Sequence, residues 1–600
     1  MFYRTQHFAS ALALCSTLGA VVSEAKIFQT PRDVHDATYD FIIVGGGTAG
    51  SVLANRLTED PNTKVLVIEA GGSNEGVLAS IVPFLGVSLP NTEVDWNFTA
   101  TPQESMFNRT FHYARGHVLG GSSSINLLTW NRGSNDVWDN WANITEDQGW
   151  SWPSVEKYYL KTSRLVAPAD HHNTSGQVIP AAHGNGPVQV SLAGFPSELD
   201  DRVINTSRQV GGKFRFNEDI NAGDSVGFSY LQASIATDTR SSAATAYLKP
   251  VEKRSNLDIV LHTQATRLIQ TGYRKDTPEF KAVEISNGPT SPCFLVHAKY
   301  EVILATGVVG TPQLLQLSGI GPKKALNALG IHSIVDLPDV GQRLADHPML
   351  PNYFSVNSNG TFDIVLRDQS VFGALLEQWN TSGTGLFVNS PSNTLGFLRL
   401  PPDSAILKNR TDPSSGPLSA HTEILFVDGY AQFGDIPQPP TGNFLTLLTA
   451  VVSPASKGSI FIASADPFEK PLINPAIYSD EFDLLAMVQV MKDSQEFVQS
   501  PAWTGFVSAT FGALNGVTTD EAMMTYARNF TVTVNHPVGT ASMSPKDAKW
   551  GVVDPDLCVK GTLGLRVVDA SVFPQIPECH PQSLVYTLAE RAADLIKAAH

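Results

Sequence analysis

The stretch YDFIIVGGGTAGSVLANRL (39–57), followed by KVLVIEAGG (64–72), constrains this chain more than any other part of it. An apolar β-type run at 41–44 leads into Gly45, Gly47 and Gly50. A helical pattern follows, with Val52, Leu53, Ala54 and Leu57 apolar. A second apolar run then ends at Glu69, 19 residues after Gly50. Strand, glycine turn, helix, strand and acid in this order form a dinucleotide-binding unit. Gly45 allows the tight turn, Gly47 lets the backbone approach a pyrophosphate, and Gly50 lets the helix pack close to the strand. The helix N-terminus offers free N–H groups and a positive dipole end to the phosphates. Glu69 is placed to accept hydrogen bonds from a ribose diol. FAD and NAD share the ADP half, so this unit does not choose between them. YEVILATGVVGTPQLLQLSGIG (300–321) supplies another buried strand at 302–305, closed by Thr306 and Gly307, which lets the chain return beside the first unit. With one GxGxxG in the chain, a bound FAD without a second nicotinamide site is the simpler reading.

Composition narrows the field. The 600 residues are 42% hydrophobic and 16% charged, enough for two or more domains with substantial cores. The net charge is −16 with no block of Lys or Arg, so the basic footprint of a nucleic-acid or anionic-lipid partner is missing. At the N-terminus, Arg4 and His7 precede the apolar run 8–22, and small residues at Ser23 and Ala25 fit a signal-peptidase site. The run is too short to span a bilayer. Residues 1–25 are therefore expected to be a signal peptide, with the mature chain starting near Lys26. Nine Asn-x-Ser/Thr sequons, at Asn97, Asn108, Asn143, Asn173, Asn205, Asn359, Asn380, Asn409 and Asn529, suit a glycosylated extracellular protein. Cys293, Cys558 and Cys579 allow at most one disulfide in the mature chain. No Cys/His spacing resembles a metal site.

The middle of the chain alternates loop-rich stretches with the runs HTEILFVDG, NFLTLLTAVVS and GSIFIAS, which read as strands of a second sheet. EFDLLAMVQVMKDSQEFV (481–498) reads as an amphipathic helix.

These segments together resemble the glucose-methanol-choline (GMC) oxidoreductases, over nearly the whole mature chain. ARGHVLGGSSSINLLTWNRGS (114–134) and GTPQLLQLSGIG (310–321) are similar to the family's two signatures. HPVGTASM, WGVVDPDLCVKGTLGLRVVDASVFP and HPQSLVYTLAERAADLIK are similar to its C-terminal blocks. Secreted fungal aryl-alcohol oxidases and pyranose dehydrogenases are the nearest in pattern. The resemblance implies an α/β, Rossmann-like FAD-binding domain of the glutathione-reductase type, joined to an α+β substrate domain with an antiparallel sheet. Residues 38–345 would carry the FAD-binding region, with a substrate-domain insertion near 150–235. Residues 346–530 would be mainly substrate domain, and 531–600 would return to the FAD domain.

The resemblance also implies roles. Gly45, Gly47, Thr48, Ala49 and Gly50 would hold the pyrophosphate, with Glu69 and Ala70 at the adenosine ribose and Ala265 at the adenine. Val118 would line the cofactor. Asn126, Leu127, Leu128 and Thr129 would lie by the flavin ring, where the glucose oxidase branch carries a similar Asn-x-x-Thr-Trp. Asp569 and Ala570 would lie near the ribityl chain and pyrophosphate, and Pro581 and Gln582 would close over the isoalloxazine. His117 and Val308 depart from the two signatures but leave their glycines intact. Ile125 stands where relatives with covalent flavin carry His, which implies non-covalent FAD.

His536 and His580 match the family's catalytic pair, and each is followed by proline, which restricts the backbone. Alcohol oxidation needs loss of the hydroxyl proton and transfer of the α-hydride to flavin N5. An imidazole is suited to take the proton near neutral pH. His536 is expected to be the base and His580 to hydrogen-bond the substrate oxygen. Asn535 stands where aryl-alcohol oxidases often carry an aromatic residue. It could hydrogen-bond a polar substrate, with Phe397, Phe426, Tyr430 and Phe433 as aromatic walls. Aryl or allylic primary alcohols rank first as substrates and sugars second, with oxygen or a quinone as acceptor and a monomer as the working state. A hydroxynitrile lyase, which keeps FAD and both histidines, is the alternative without net redox chemistry.

Overall fold

The computed structural model describes residues 26–433 and 436–600, and the expected signal peptide lies outside them. The glycine unit forms as its pattern requires. Thr38–Val44 is a strand, Thr48–Leu57 a helix and Val65–Ile68 the next strand. Both strands pair in parallel, Phe41 opposite Val65 and Val44 opposite Ile68. Parallel strands covered on both faces read as unbroken apolar runs, and Ile42, Ile43 and Val65–Ile68 are all buried.

Around this pair grows an eight-stranded sheet. Its parallel part runs Lys26–Phe28, Leu257–Val260, Val65–Ile68, Thr38–Val44 and Phe294–Leu304. Phe294–Leu304 also pairs in parallel with Leu565–Val567, so a segment near the C-terminus completes the first sheet. The antiparallel strands Thr277–Ser286 and Gln264–Arg274 continue it outward. The helix Gln582–Ala599 packs against Thr48–Leu57 on one face, where Arg56 meets the buried Glu590 carboxylate at 2.8 Å.

A second, seven-stranded antiparallel sheet runs Val507–Thr510, Pro348–Val356, Phe444–Val451, Thr422–Val427, Ser392–Leu398 and Gly227–Tyr230, with Val532–Thr533 beside Pro348–Val356. The helix Glu481–Val498 covers one face and takes the span its pattern predicts. GSIFIAS corrects the expectation of one second sheet. Gly458–Phe461 joins a separate three-stranded sheet with Gln342–Leu344 and Leu472–Asn474, because Ser459 lies opposite both Gln342 and Asn474.

After Val532–Thr533 the chain crosses from the second sheet to the first. His536 lies on that crossing, and His580 lies just before the helix Gln582–Ala599. Eight sequon asparagines are exposed, but Asn97 is half-buried and its amide donates to Thr92 O and Asp95 O, both at 3.1 Å. Its nitrogen is hydrogen-bonded within the fold. Cys293, Cys558 and Cys579 are all free thiols. No helix among the described residues is long and apolar enough to cross a membrane.

Candidate active site

The glycine cradle is sterically closed to a side chain at Gly45 and Gly50. A Cβ on Gly50 would lie 1.9 Å from Gly45 O, and one on Gly45, which has φ +104°, would lie 2.4 Å from Ala305 O. Gly47 caps the helix Thr48–Leu57 without any side-chain hydrogen bond, so the first N–H groups are left for an anion. Gly121 approaches from the other side, close enough that its Cβ would lie 2.8 Å from Gly47 Cα. Val118 bridges to Gly72, and Gly71 runs against His117. Thr263, two residues before Ala265, donates its N–H to Glu69 O at 2.9 Å. Gly45, Gly47, Thr48, Ala49, Gly50, Glu69, Ala70, Val118 and Ala265 thus converge on one groove.

Two carboxylates brace it. Glu69 accepts the N–H groups of Gly46 at 2.9 Å and Gly71 at 2.8 Å, and burial pushes its carboxyl up to about 7. Asp569 accepts from Gly307 N and Thr311 Oγ1, which caps the helix Gly307–Leu317, and from Ser571 N. Ala570 O accepts from Gly539 N at 3.2 Å, tying this corner to the His536 segment.

At the far end, Gln582 donates through Nε2 to Leu128 O at 3.0 Å and Thr129 O at 2.6 Å, and accepts from Asn126 Nδ2 at 3.1 Å. Leu128 is buried at φ +72°, a conformation a leucine holds only when its surroundings enforce it. Here Ser234 N and Gln582 Nε2 both donate to its carbonyl. The uncapped helix end, the glycine walls and this frame fit a flavin dinucleotide.

Between the frame and the second sheet sit three imidazoles. His536 and His580 are edge-to-face with ring centroids 4.6 Å apart. His347, which sequence reasoning missed, lies 3.0 Å from His536, Nδ1 to Nδ1, so one ring donates and the other accepts. The His536 backbone N–H donates to Asp346 Oδ1 at 2.9 Å. His580 Nε2 lies 2.8 Å from Oε1 of Glu423, a buried strand carboxylate that was also missed. A carboxylate only accepts, so Nε2 carries the hydrogen and Nδ1 is left for another partner. The missed histidine had a sequence signal: of the 15 histidines, three precede proline, and these are His347, His536 and His580.

Burial holds His536 well below the ordinary histidine range, helped by His580, His347 and Arg115. Burial and His580 push His347 down to about 3. Below about pH 6.5 the unfolded chain therefore binds protons that these folded histidines refuse, and stability falls as pH falls. Buried Glu69, Asp428 and Glu578 are raised to about 7 and work in the opposite direction, since the folded chain binds more protons as pH drops from about 7 to 4.5. The two sets offset each other above about pH 4.5. Below about pH 6.5 each neutral histidine costs about 1.4 kcal/mol per pH unit. H347F is expected to flatten the acid limb of a urea-midpoint series by about that slope. Parallel limbs in parent and variant would exclude a neutral buried His347.

Two of the expected substrate contacts, Phe426 and Tyr430, are corrected, and Asn535 gains a structural partner. Asn535 has φ +63°, and its Oδ1 accepts Ala114 N–H at 3.0 Å. Asparagine tolerates this left-handed backbone well, so Asn535 has a backbone role beside the expected contact. Phe426 points to the helix side of the second sheet, packed on Phe228, Phe497 and Trp503. Tyr430 stacks on Tyr353 at 4.3 Å in a separate cluster. Phe397 lies opposite Glu423 in the strand pair, on the face toward His580, and is fully buried. Phe433 is half-buried against the second-sheet core.

Residues 39–349 match the N-terminal profile of GMC oxidoreductases, and residues 454–589 match the C-terminal one. The dehydrogenase eriK of Hericium erinaceus is 37% identical over 97% of this chain and 98% of its own length. Pyranose dehydrogenase 3 of Leucoagaricus meleagris is 36% identical over 99% of both chains. A formate oxidase structure from Aspergillus oryzae superposes with a TM-score of 0.85 at 31% identity, over 94% of this chain and 99% of that one. A fungal aryl-alcohol oxidase superposes at 0.79 with 26% identity, over 94% of this chain and 99% of that one.

Proposed function

We propose, from the premise that this chain belongs to the GMC oxidoreductase family of FAD-dependent enzymes, that it oxidises a primary aryl or allylic alcohol to the aldehyde. The observation that carries this reading is the His536–His580 pair, with ring centroids 4.6 Å apart. FAD, when bound, supplies the acceptor for the α-hydride at its N5. The chain's residues then have one task, moving and orienting a proton. His536 has its Nδ1 engaged by His347, which leaves Nε2 for the substrate hydroxyl. Its lowered proton affinity keeps it neutral, and it accepts the proton as the hydride departs, when the hydroxyl is most acidic. His580, its Nε2–H held by Glu423, orients the substrate oxygen with Nδ1 as an N–H donor, since the single hydroxyl proton goes to His536. Gly45–Gly50 and Glu69 would hold the pyrophosphate and ribose, and Asn126–Thr129, Pro581 and Gln582 the ring.

The flavin is non-covalent in this reading, because Ile125 is packed among Leu89, Val94 and Val118 and has no group to form the bond. Acid or detergent should release it completely. The chain is secreted in this reading, supported by the leader pattern and the eight exposed sequons. N-terminal sequencing of exported protein should start near Lys26, and deglycosylation should lower its mass.

A second reading, oxidation of a sugar, is favoured by the match to pyranose dehydrogenases. An alcohol and sugar panel, run anaerobically and then with oxygen and with a quinone, separates the two. Flavin bleaching by an aryl alcohol supports the first reading. Bleaching by sugars alone supports the second, and bleaching by neither leaves the lyase.

A further inference from the structure

Arg240 is a buried cation with no carboxylate to balance it. Its residue is 4% exposed, and no Asp or Glu among the described residues lies within ion-pair distance. Arg56 meets Glu590, Arg399 meets Asp412 and Arg566 meets Glu301, and Arg132 and Arg115, which also lack an ion pair, still feel Asp219 and Asp346 respectively. Arg240 instead donates to neutral acceptors, Nε to Ser80 O at 2.7 Å and Nη1 to Ser123 O at 3.2 Å and Asn126 Oδ1 at 2.7 Å. Its Nη2 is buried with no partner at all. Gly86 makes room for it, since a Cβ there would lie 3.0 Å from Nη2. The one ionisable group acting on it is the Tyr586 phenol, and burial pushes the guanidinium down to about 9, which still leaves it charged at neutral pH.

An uncompensated buried charge is expensive, and a fold retains one where its counter-charge comes from outside the chain. The wiring shows where that charge would arrive. A guanidinium only donates, so it fixes Asn126 with Oδ1 toward Arg240 and Nδ2 toward Gln582 Oε1. Gln582 Nε2 is thereby directed at the Leu128 and Thr129 carbonyls. The guanidinium therefore stands behind the whole frame assigned to the flavin ring. We propose that Arg240 is the electrostatic support for the negative charge the flavin ring carries once hydride has reduced it. This rests on the FAD reading above. The alcohol proton goes to His536, so the two electrons arrive with one proton and leave the ring anionic. Arg240 favours that form without touching the substrate.

The test is the two-electron midpoint potential of the holoenzyme, measured by dye equilibration in the parent, R240M, R240K and N126D. A parent without bound flavin would sink the FAD reading and this proposal with it, whereas a flavin-loaded parent matched by R240M would sink this proposal alone. R240M is expected to shift the reduction equilibrium tenfold to a hundredfold toward oxidised flavin, about 30–60 mV lower. R240K, which keeps the charge, is expected to stay within about threefold of the parent. N126D keeps the guanidinium and its carbonyl contacts but supplies a carboxylate, and should fall with R240M. Binding of sulfite to the flavin, which creates the same negative charge, should weaken in the same order. An R240M potential equal to the parent's would make Arg240 a strut for Ser80, Ser123 and Asn126 and overturn the proposal. If R240M holds no flavin, N126D decides, and an unshifted N126D overturns it equally.

Discussion

Replacing His536 by Ala leaves flavin bound and slows its anaerobic reduction by alcohol about 10²–10⁴-fold, the range that general-base assistance supplies. The flavin stays because no cradle contact passes through the imidazole. The segment is held by its backbone, His536 N to Asp346 Oδ1 and Asn535 N to Thr533 Oγ1. The rate falls because the alternative base is poorly placed: His347 is buried behind His536, and burial and His580 hold its proton affinity low. Stopped-flow bleaching at saturating alcohol isolates this step from product release. The depressed affinity of His536 adds a second expectation. The parent's reduction rate should show no acid limb from His536 near about 6.5, since the ring is already neutral there. Bleaching of H536A at the parent's rate would remove His536 from the chemistry.

The parts of the site legible in the sequence are those where sterics or local periodicity decide. Only glycine fits where a Cβ would lie 1.9 Å from a carbonyl oxygen, so Gly50 could be read without a fold. The helix Glu481–Val498 was equally readable from its period. Glu423 was not, because its role depends on which strand lies next to it and which face of the sheet meets His580. Phe426 was misplaced for the same reason. Strand side chains alternate, so Glu423 and Phe426, three positions apart, lie on opposite faces. The His-Pro dipeptide at 347 was visible, but nothing local ties Pro348–Val356 to the crossing at Val532–Thr533.

Glu423 carries the second large effect. It is 1% exposed and its carboxylate holds His580 Nε2 at 2.8 Å. In E423L the His580 N–H loses its only acceptor in a buried setting, at a cost of about 1–3 kcal/mol. The ring is then free to turn, and kcat/KM should fall about ten- to a hundredfold. E423Q keeps an acceptor but not the charge, so it should retain the orientation and lose less. A purely structural role for Glu423 predicts a lower Tm with unchanged kinetics in folded protein. Leucine can even raise Tm, since an apolar residue of similar size often replaces a buried ionic group without loss. The decisive readout is therefore the double variant. If Glu423 acts through His580, E423L/H580L is no slower than H580L alone, because the second change removes a contact already gone. Losses that multiply across the two positions would mean Glu423 reaches the reaction by another route.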